Sequence, residues 1–151
     1  MASPTHQVAL EFLVFARHRD LSQVSARPEG SQLERSAYIL LSRVDVQGPM
    51  SIGQLSDAFG LDVSTLNRQT AALKRAGLLE RIPDPEGGMA RKFRLTEEGR
   101  RRLTEEREAH VRALDQVMAD WPQEDVAEFA AYLRRFNTGI EHIDGRAWPR
   151  P

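Results

Sequence analysis

SIGQLSDAFGLDVSTLNRQTAALKRAGLLERIPDP, residues 51–85, holds two helical patterns divided by a glycine and followed by a short apolar run. Ser51 is placed to cap the first helix, with Ile52, Leu55 and Ala58 inside it and Gly60 closing it. Asp62 is placed to cap the second, in which Val63, Leu66, Thr70 and Leu73 recur on one side before Gly77 ends it. Two short helices with a tight glycine joint form the helix-turn-helix pattern. LLERIP, residues 78–83, then reads as a strand, and RKFRL, residues 91–95, as its partner, with Phe93 and Leu95 on one face and Lys92 and Arg94 on the other. Asp84 to Met89 form the loop between them, so a basic β-hairpin stands directly behind the helix pair, in the position of a wing.

The second helix presents Ser64, Thr65, Asn67, Arg68 and Gln69 near its N-terminus, away from Leu66 and Leu73. A helix N-terminus offers free backbone N–H groups and partial positive charge to phosphates, and small hydroxyls permit close approach. Asn, Arg and Gln carry the forked donors and acceptors that read base edges in a major groove. The expected DNA contacts are therefore Ser51, Ser64, Thr65, Asn67, Arg68, Gln69 and Lys74 from the helices, with Arg91, Lys92 and Arg94 from the wing. A solvated polar face is the bland alternative for the helix alone; the adjoining basic hairpin argues against it.

The flanks are helical as well. The stretch from His6 to about Asp20 carries Val8, Leu10, Phe12, Leu13, Val14, Phe15 and Ala16, which cover most of a helix circumference and require burial on more than one side. Residues 1–5 read as a loose tail, and ARPEGS, residues 26–31, as a break. Leu33, Ala37, Leu40, Leu41 and Val44 mark a further helix that stops at Gly48-Pro49. Behind the wing, Thr96 caps a helix running to about Asp120, and Pro122 opens another in which Val126, Phe129, Leu133, Phe136, Ile140 and Ile143 follow three- and four-residue steps. Such a seam packs on its own core or on a second copy of the chain. The over-apolar first helix favours the second copy, with Val8, Phe12, Phe129, Leu133, Phe136 and Ile140 at the interface. Residues 145–151 are expected to fray.

Charge is nearly balanced over the 151 residues, at −1, but unevenly distributed. Residues 61–102 hold ten Lys and Arg against six Asp and Glu, whereas residues 103–144 hold four against ten. Segregation of this kind points to an anionic partner, nucleic acid first, although a solvated basic face produces the same numbers. Cysteine is absent, which excludes disulfides, zinc–thiolate sites and thiol redox sensing, and fits a reducing compartment. The longest apolar stretch is too short to span a bilayer and no positive region precedes it, so a cytoplasmic protein is expected.

The run from Ser51 to Gly99 resembles the MarR family of bacterial winged-helix transcriptional regulators. The likeness rests on L-x-x-x-x-G-L-D-x-S-T from Leu55, L-K-R-A-G-L-L-x-R from Leu73, D-P-E from Asp84 and L-T-x-x-G from Leu95, and the flanking helices extend it over roughly residues 6–144. The resemblance implies a homodimer joined through its N- and C-terminal helices, recognition helices in successive major grooves of a pseudo-palindromic operator, and wings reaching minor grooves. It also implies a small-molecule or oxidant signal that changes the spacing of the two lobes. One departure stands out: many members carry Asp-x-Arg at the wing tip, where this chain has Gly87, Gly88 and Met89, leaving Arg91 as the nearest arginine.

The expected fold is mainly α (α+β), a winged helix-turn-helix with dimerisation helices at both ends: residues 1–32 and 100–144 for dimerisation, 33–99 for DNA binding. The expected function is a ligand-responsive repressor that binds duplex DNA as a homodimer. The alternative is a winged-helix protein–protein adaptor without DNA binding, motivated by the missing Asp-x-Arg. Phe15, His18, Tyr38 and His110 are the candidates for an effector pocket, core packing being the other use for the aromatic ones. No cofactor is expected. The scattered histidines lack metal-ligand spacing, and no nucleophile turn, carboxylate pair in a cleft or glycine-rich phosphate loop suggests an enzyme.

Overall fold

The computed structural model describes residues 3–18 and 32–151. The order along the chain is α1 (Pro4–Ala16), α2 (Arg35–Gln47), α3 (Ile52–Phe59), α4 (Val63–Arg75), β1 (Leu79–Ile82), β2 (Lys92–Leu95), α5 (Glu97–Val117) and α6 (Gln123–Asp144). The fold is predominantly helical, with a two-stranded antiparallel sheet in the register Leu79↔Leu95 to Ile82↔Lys92.

Local chemistry sets most boundaries. Ser51 and Gln54 form a reciprocal capping box at the start of α3, and Gly60 ends that helix in the left-handed region at φ 64°. Gly48, at φ 92°, ends α2. Thr96 Oγ1 accepts the Gly99 N–H at 2.9 Å to open α5, with Glu97 and Glu98 in its first turn. Three boundaries differ from expectation. Pro4 already belongs to α1, because Ser3 caps it and proline suits the first helical position; residues 3–5 are thus not a loose tail. The turn after α5 begins at Met118 rather than at about Asp120, since Pro122 forces the preceding residues out of helical geometry. The end of α1 expected near Asp20 and the break at 26–31 lie outside the described residues.

The apolar core runs from Leu33 to Leu103 and joins α2, α3, α4, both strands and the start of α5, with Leu40, Leu41, Met50, Leu55, Leu66 and Leu79 at its centre. Beyond it, α1 and α6 bury no residue at all. The lobe spanning 33–103 is therefore self-sufficient, while the terminal helices leave their apolar faces open. Residues 145–151 do not fray: the Trp148 ring meets both Arg43 and Phe59, and Arg150 pairs with Glu141 at 2.8 Å. An indole and a guanidinium find partners there that hydropathy alone does not announce.

At the corner between α4 and β1 the chain passes very close to α5. A Cβ on Gly99 would lie 2.1 Å from the Leu78 carbonyl oxygen, inside hard contact with backbone that cannot step aside. Gly99→Ala is expected to lower stability by about 1–3 kcal/mol despite alanine's better helix propensity, because the clash exceeds the propensity gain. Urea unfolding followed by circular dichroism measures it, and a stability equal to wild type would show that the corner is softer than its geometry.

Candidate nucleic-acid interface

The helix pair is built around its joint. The Gly60 and Leu61 N–H groups both bond the Ser56 carbonyl, and Ser56 Oγ donates to the Leu61 carbonyl at 2.6 Å. Those bonds fix the angle at which α4 leaves α3. On α4, Leu66, Thr70 and Leu73 are buried, and Thr70 satisfies its hydroxyl by donating to the Leu66 carbonyl at 2.7 Å. Val63, expected among the inward set, is instead 50 % exposed, since it sits at the first helical position where α4 projects beyond the core. Asp62 is the cap residue by position, but its side chain makes no capping bond.

Ser64, Asn67, Arg68 and Lys74 are exposed, with Thr65 and Gln69 partly so. Arg68 Nη2 reaches Thr65 Oγ1 at 3.4 Å, which draws the guanidinium along the helix toward its N-terminus. The Ser51 hydroxyl is committed to capping, accepting the Gln54 N–H at 3.1 Å.

The wing does not bring its three expected cations together. Arg94 faces Glu80 across the strands, Nε to Oε1 at 2.5 Å. Lys92 is 14 % exposed at its side chain and pairs with Asp84 at 3.4 Å, so it serves the hairpin's own structure. Arg91 alone of the three is exposed and makes no ion pair among the described residues. The strand register explains the division. Glu80↔Arg94 and Ile82↔Lys92 share one face, while Arg81↔Phe93 shares the other. On that second face Arg81 joins Asn67, Lys74, Thr70, Ile52 and Phe93 around a cleft of about 190 Å³ between α4 and the wing. Arg81 was absent from the expected set. The two-residue alternation through Leu79 and Arg81 is the signal that would have found it, once Phe93 was read as inward-facing.

The wing loop is organised by Asp84. Its Oδ1 accepts the Glu86 N–H at 2.9 Å and its carbonyl accepts the Gly87 N–H at 3.0 Å, where Gly87 turns the chain at φ 82°. The Glu86 N–H, with help from Lys92, holds the Asp84 carboxyl below its ordinary range.

Of the candidate effector residues, the structure unites two. Tyr38 on α2 stacks on His110 of α5, ring centroids 4.8 Å apart. His110 Nε2 lies 3.4 Å from Glu106 Oε1, and the other oxygen of that carboxylate, 3 % exposed in all, accepts the Leu33 N–H at 3.2 Å. Phe15 stands exposed on α1 and His18 exposed just beyond its end, and neither makes a ring contact with this pair among the described residues. The expected interface residues Val8, Phe12, Phe129, Leu133, Phe136 and Ile140 are all about half exposed, and Phe12 meets Phe136 at 5.2 Å between ring centroids. Among the described residues no group of His, Asp and Glu is arranged to hold a metal ion, and no helix is long and apolar enough to cross a membrane.

A sequence profile described as MarR family matches residues 33–87. The chain is 32 % identical over 135 residues to the HTH-type transcriptional regulator YxaD of Bacillus subtilis (strain 168), covering 89 % of this chain and 94 % of that one. Among solved structures, a MarR family protein from Bacillus stearothermophilus superposes with a TM-score of 0.70 at 25 % identity, covering 92 % of this chain and 99 % of the other. The PcaV transcriptional regulator from Streptomyces coelicolor, solved in complex with its natural ligand, shares the fold with a TM-score of 0.61 at 23 % identity over 93 % of this chain and all (100 %) of the other.

The Asp84 turn has a pH signature. A carboxyl held below its ordinary value of 3.8 orders the loop fully above that value, and its contribution disappears as pH falls beneath it. Corrected amide exchange at Glu86 and Gly87 should therefore stay slow down to the ordinary carboxylate range and quicken below it, and Asp84→Ala should quicken it at neutral pH. Unchanged exchange in that variant would mean that glycine geometry alone holds the loop.

Proposed function

This chain belongs to the MarR family of transcriptional regulators, and from that premise we propose that it binds duplex DNA as a homodimer and represses transcription from a pseudo-palindromic operator. The observation that carries the reading is the exposed polar face on α4 flanked by cations that make no ion pair among the described residues: Arg68 on the helix, Lys74 and Arg81 at the cleft, and Arg91 just before β2. In this reading the N-terminal half of α4 enters a major groove. Arg68, Asn67 and Gln69 read base edges while Ser64 and Thr65 approach phosphates. Lys74 and Arg81 straddle the backbone between that groove and the wing, and Arg91 takes the minor-groove role for which arginine is suited. Arg94 and Lys92, already neutralised by Glu80 and Asp84, contribute less.

Dimerisation through α1 and α6 is supported by their exposed apolar residues, Phe12 at 47 % and Phe136 at 45 % among them, which a single copy leaves in water. A twofold assembly that presents two α4 helices about 34 Å apart matches one turn of B-form DNA. Tyr38, His110 and Glu106, at the junction of α2 and α5, are the proposed site of response to a small-molecule effector.

Mobility shifts on a duplex from the protein's own promoter region, at two salt concentrations, test the DNA reading. Arg68→Ala is expected to cost about 1–3 kcal/mol on the cognate duplex and to relax sequence choice, whereas Arg81→Ala should weaken all duplexes and reduce the salt slope by about one. Equal affinity of wild type and the Arg68 variant for every duplex would refute it. Leu133→Glu is expected to yield monomers by light scattering; a persistent dimer would move the interface away from α1 and α6.

A further inference from the structure

The chain after α6 turns back onto the helix-turn-helix. Gly145 ends α6 in the left-handed region at φ 72°, and the Arg146 N–H bonds Asp144 Oδ1 at 2.8 Å. From there each residue with a side chain to offer finds a partner. The Arg146 guanidinium lies against Gly60: a Cβ on that glycine would sit 2.7 Å from its Cζ. The Ala147 carbonyl accepts from Arg43 Nη1 at 3.3 Å. The same Arg43 guanidinium lies over the Trp148 ring at 5.2 Å, and the indole meets Phe59 at 6.4 Å between ring centroids. Arg150 returns to α6, its Nη2 2.8 Å from Glu141 Oε1 and its Nη1 3.1 Å from Oε2.

We propose that residues 145–150 form a strap between the end of α6 and the α3–α4 joint, with Arg43, Arg146 and Trp148 as positioning residues that fix how α4 sits relative to the helices joining two copies. The proposal rests on the reading of the chain as a dimeric DNA-binding regulator. The strap is anchored twice, on α6 through Arg150–Glu141 and on the lobe through the arginine–indole pair, the Phe59 contact and the seat beside Gly60. Gly60 serves both requirements: it supplies the positive φ that the joint needs, and its missing side chain leaves the space that Arg146 fills.

Two observations separate positioning from plain structural support. No residue of 145–151 belongs to the core cluster, so the lobe's folding does not depend on them. The α3–α4 joint is already closed by the Ser56 hydrogen bonds. What the strap adds is a direct contact from the end of α6 to the α3–α4 joint, beside the chain connection through α5. Drawing the strap away from α2 and α3 takes the indole off the Arg43 guanidinium and off Phe59, and a cation–π contact of this kind is strongest when partly withdrawn from water, as Trp148 and Arg43 are.

The test uses the full-length protein with Trp148→Ala, Trp148→Phe and Arg146→Ala. Because the chain has no cysteine, a single Ala72→Cys on the exposed side of α4 takes one spin label per protomer and reports the α4–α4 spacing. In Trp148→Ala, amide exchange at Gly60 and Leu61 is expected to quicken about three- to fivefold, and the spacing distribution to broaden. Affinity for the cognate duplex, measured without the label, should fall by a similar factor, while dimer mass and unfolding midpoint stay at wild-type values. Trp148→Phe should recover most of each loss, and Arg146→Ala should show a smaller change of the same sign. Wild-type exchange at the joint together with a wild-type spacing distribution in Trp148→Ala would overturn the strap. A wild-type protein that retains no duplex would sink the regulator reading instead, and the exchange measurement would still decide the strap.

Discussion

The lobe is organised around the carbonyl of Leu78. That oxygen accepts the Thr96 N–H at 3.1 Å, and Gly99 lies so close to it that no side chain fits between. The Thr96 hydroxyl meanwhile donates to the Gly77 carbonyl at 2.6 Å and accepts the Gly99 N–H at 2.9 Å. One threonine and one glycine thus lock together the end of α4, the start of β1 and the first turn of α5. The opposite edge is closed by Met50 and Phe93, which exchange backbone bonds at 3.1 and 2.8 Å just before α3. These two clamps tie the chain leaving α4 to the first turn of α5 and the wing to the start of α3.

Within that frame the charges are arranged by pairing rather than by number. The wing's acids take up the cations of one face: Glu80 holds Arg94, and Asp84 holds Lys92 while ordering the loop. Of the two pairs, the exposed Arg94–Glu80 adds little stability, on the order of 0–1 kcal/mol. Their effect is on direction. With Arg94 and Lys92 paired, Arg81 and Lys74 set positive charge at the cleft beside the polar face of α4, and Arg68 and Arg91 add to it outside the cleft. A balanced overall charge is then compatible with a strongly one-sided local field, because neutralisation is spatially selective.

Much of this could be read along the chain. Caps and stops are local devices, so Ser51, Gly60, Thr96 and Gly48-Pro49 located α2 through α5 within a turn, and alternation over residues 78–95 located both strands. What escaped were facts of register and distance. Which wing cations share a face depends on Arg81 meeting Phe93 across the sheet, a pairing that no single strand encodes. The Met50–Phe93 bridge joins residues too far apart in sequence for any periodicity to register. The last seven residues carry two prolines, a glycine and no helical pattern, the marks of a loose end. Their order comes from a guanidinium on α2 more than 100 positions earlier, Arg43, which sequence distance hides. Of the four residues expected near one another, Tyr38 and His110 meet across two helices, whereas Phe15 lies on α1 and His18 just beyond its end.

Helix α2 is where these contacts converge. Tyr38 on one turn stacks on His110 of α5, and Arg43, little more than one turn later, lies over Trp148 at the far end of the chain. The segment leading into α2 is pinned by Glu106, whose buried carboxylate accepts the Leu33 N–H while its other oxygen faces His110. A molecule that parts Tyr38 from His110 would act on the contact between α2 and α5, on the same helix that carries the guanidinium over the indole. In the proposed reading, an effector at Tyr38 and His110 and the strap held by Arg43 would therefore act on the same helix, little more than one turn apart.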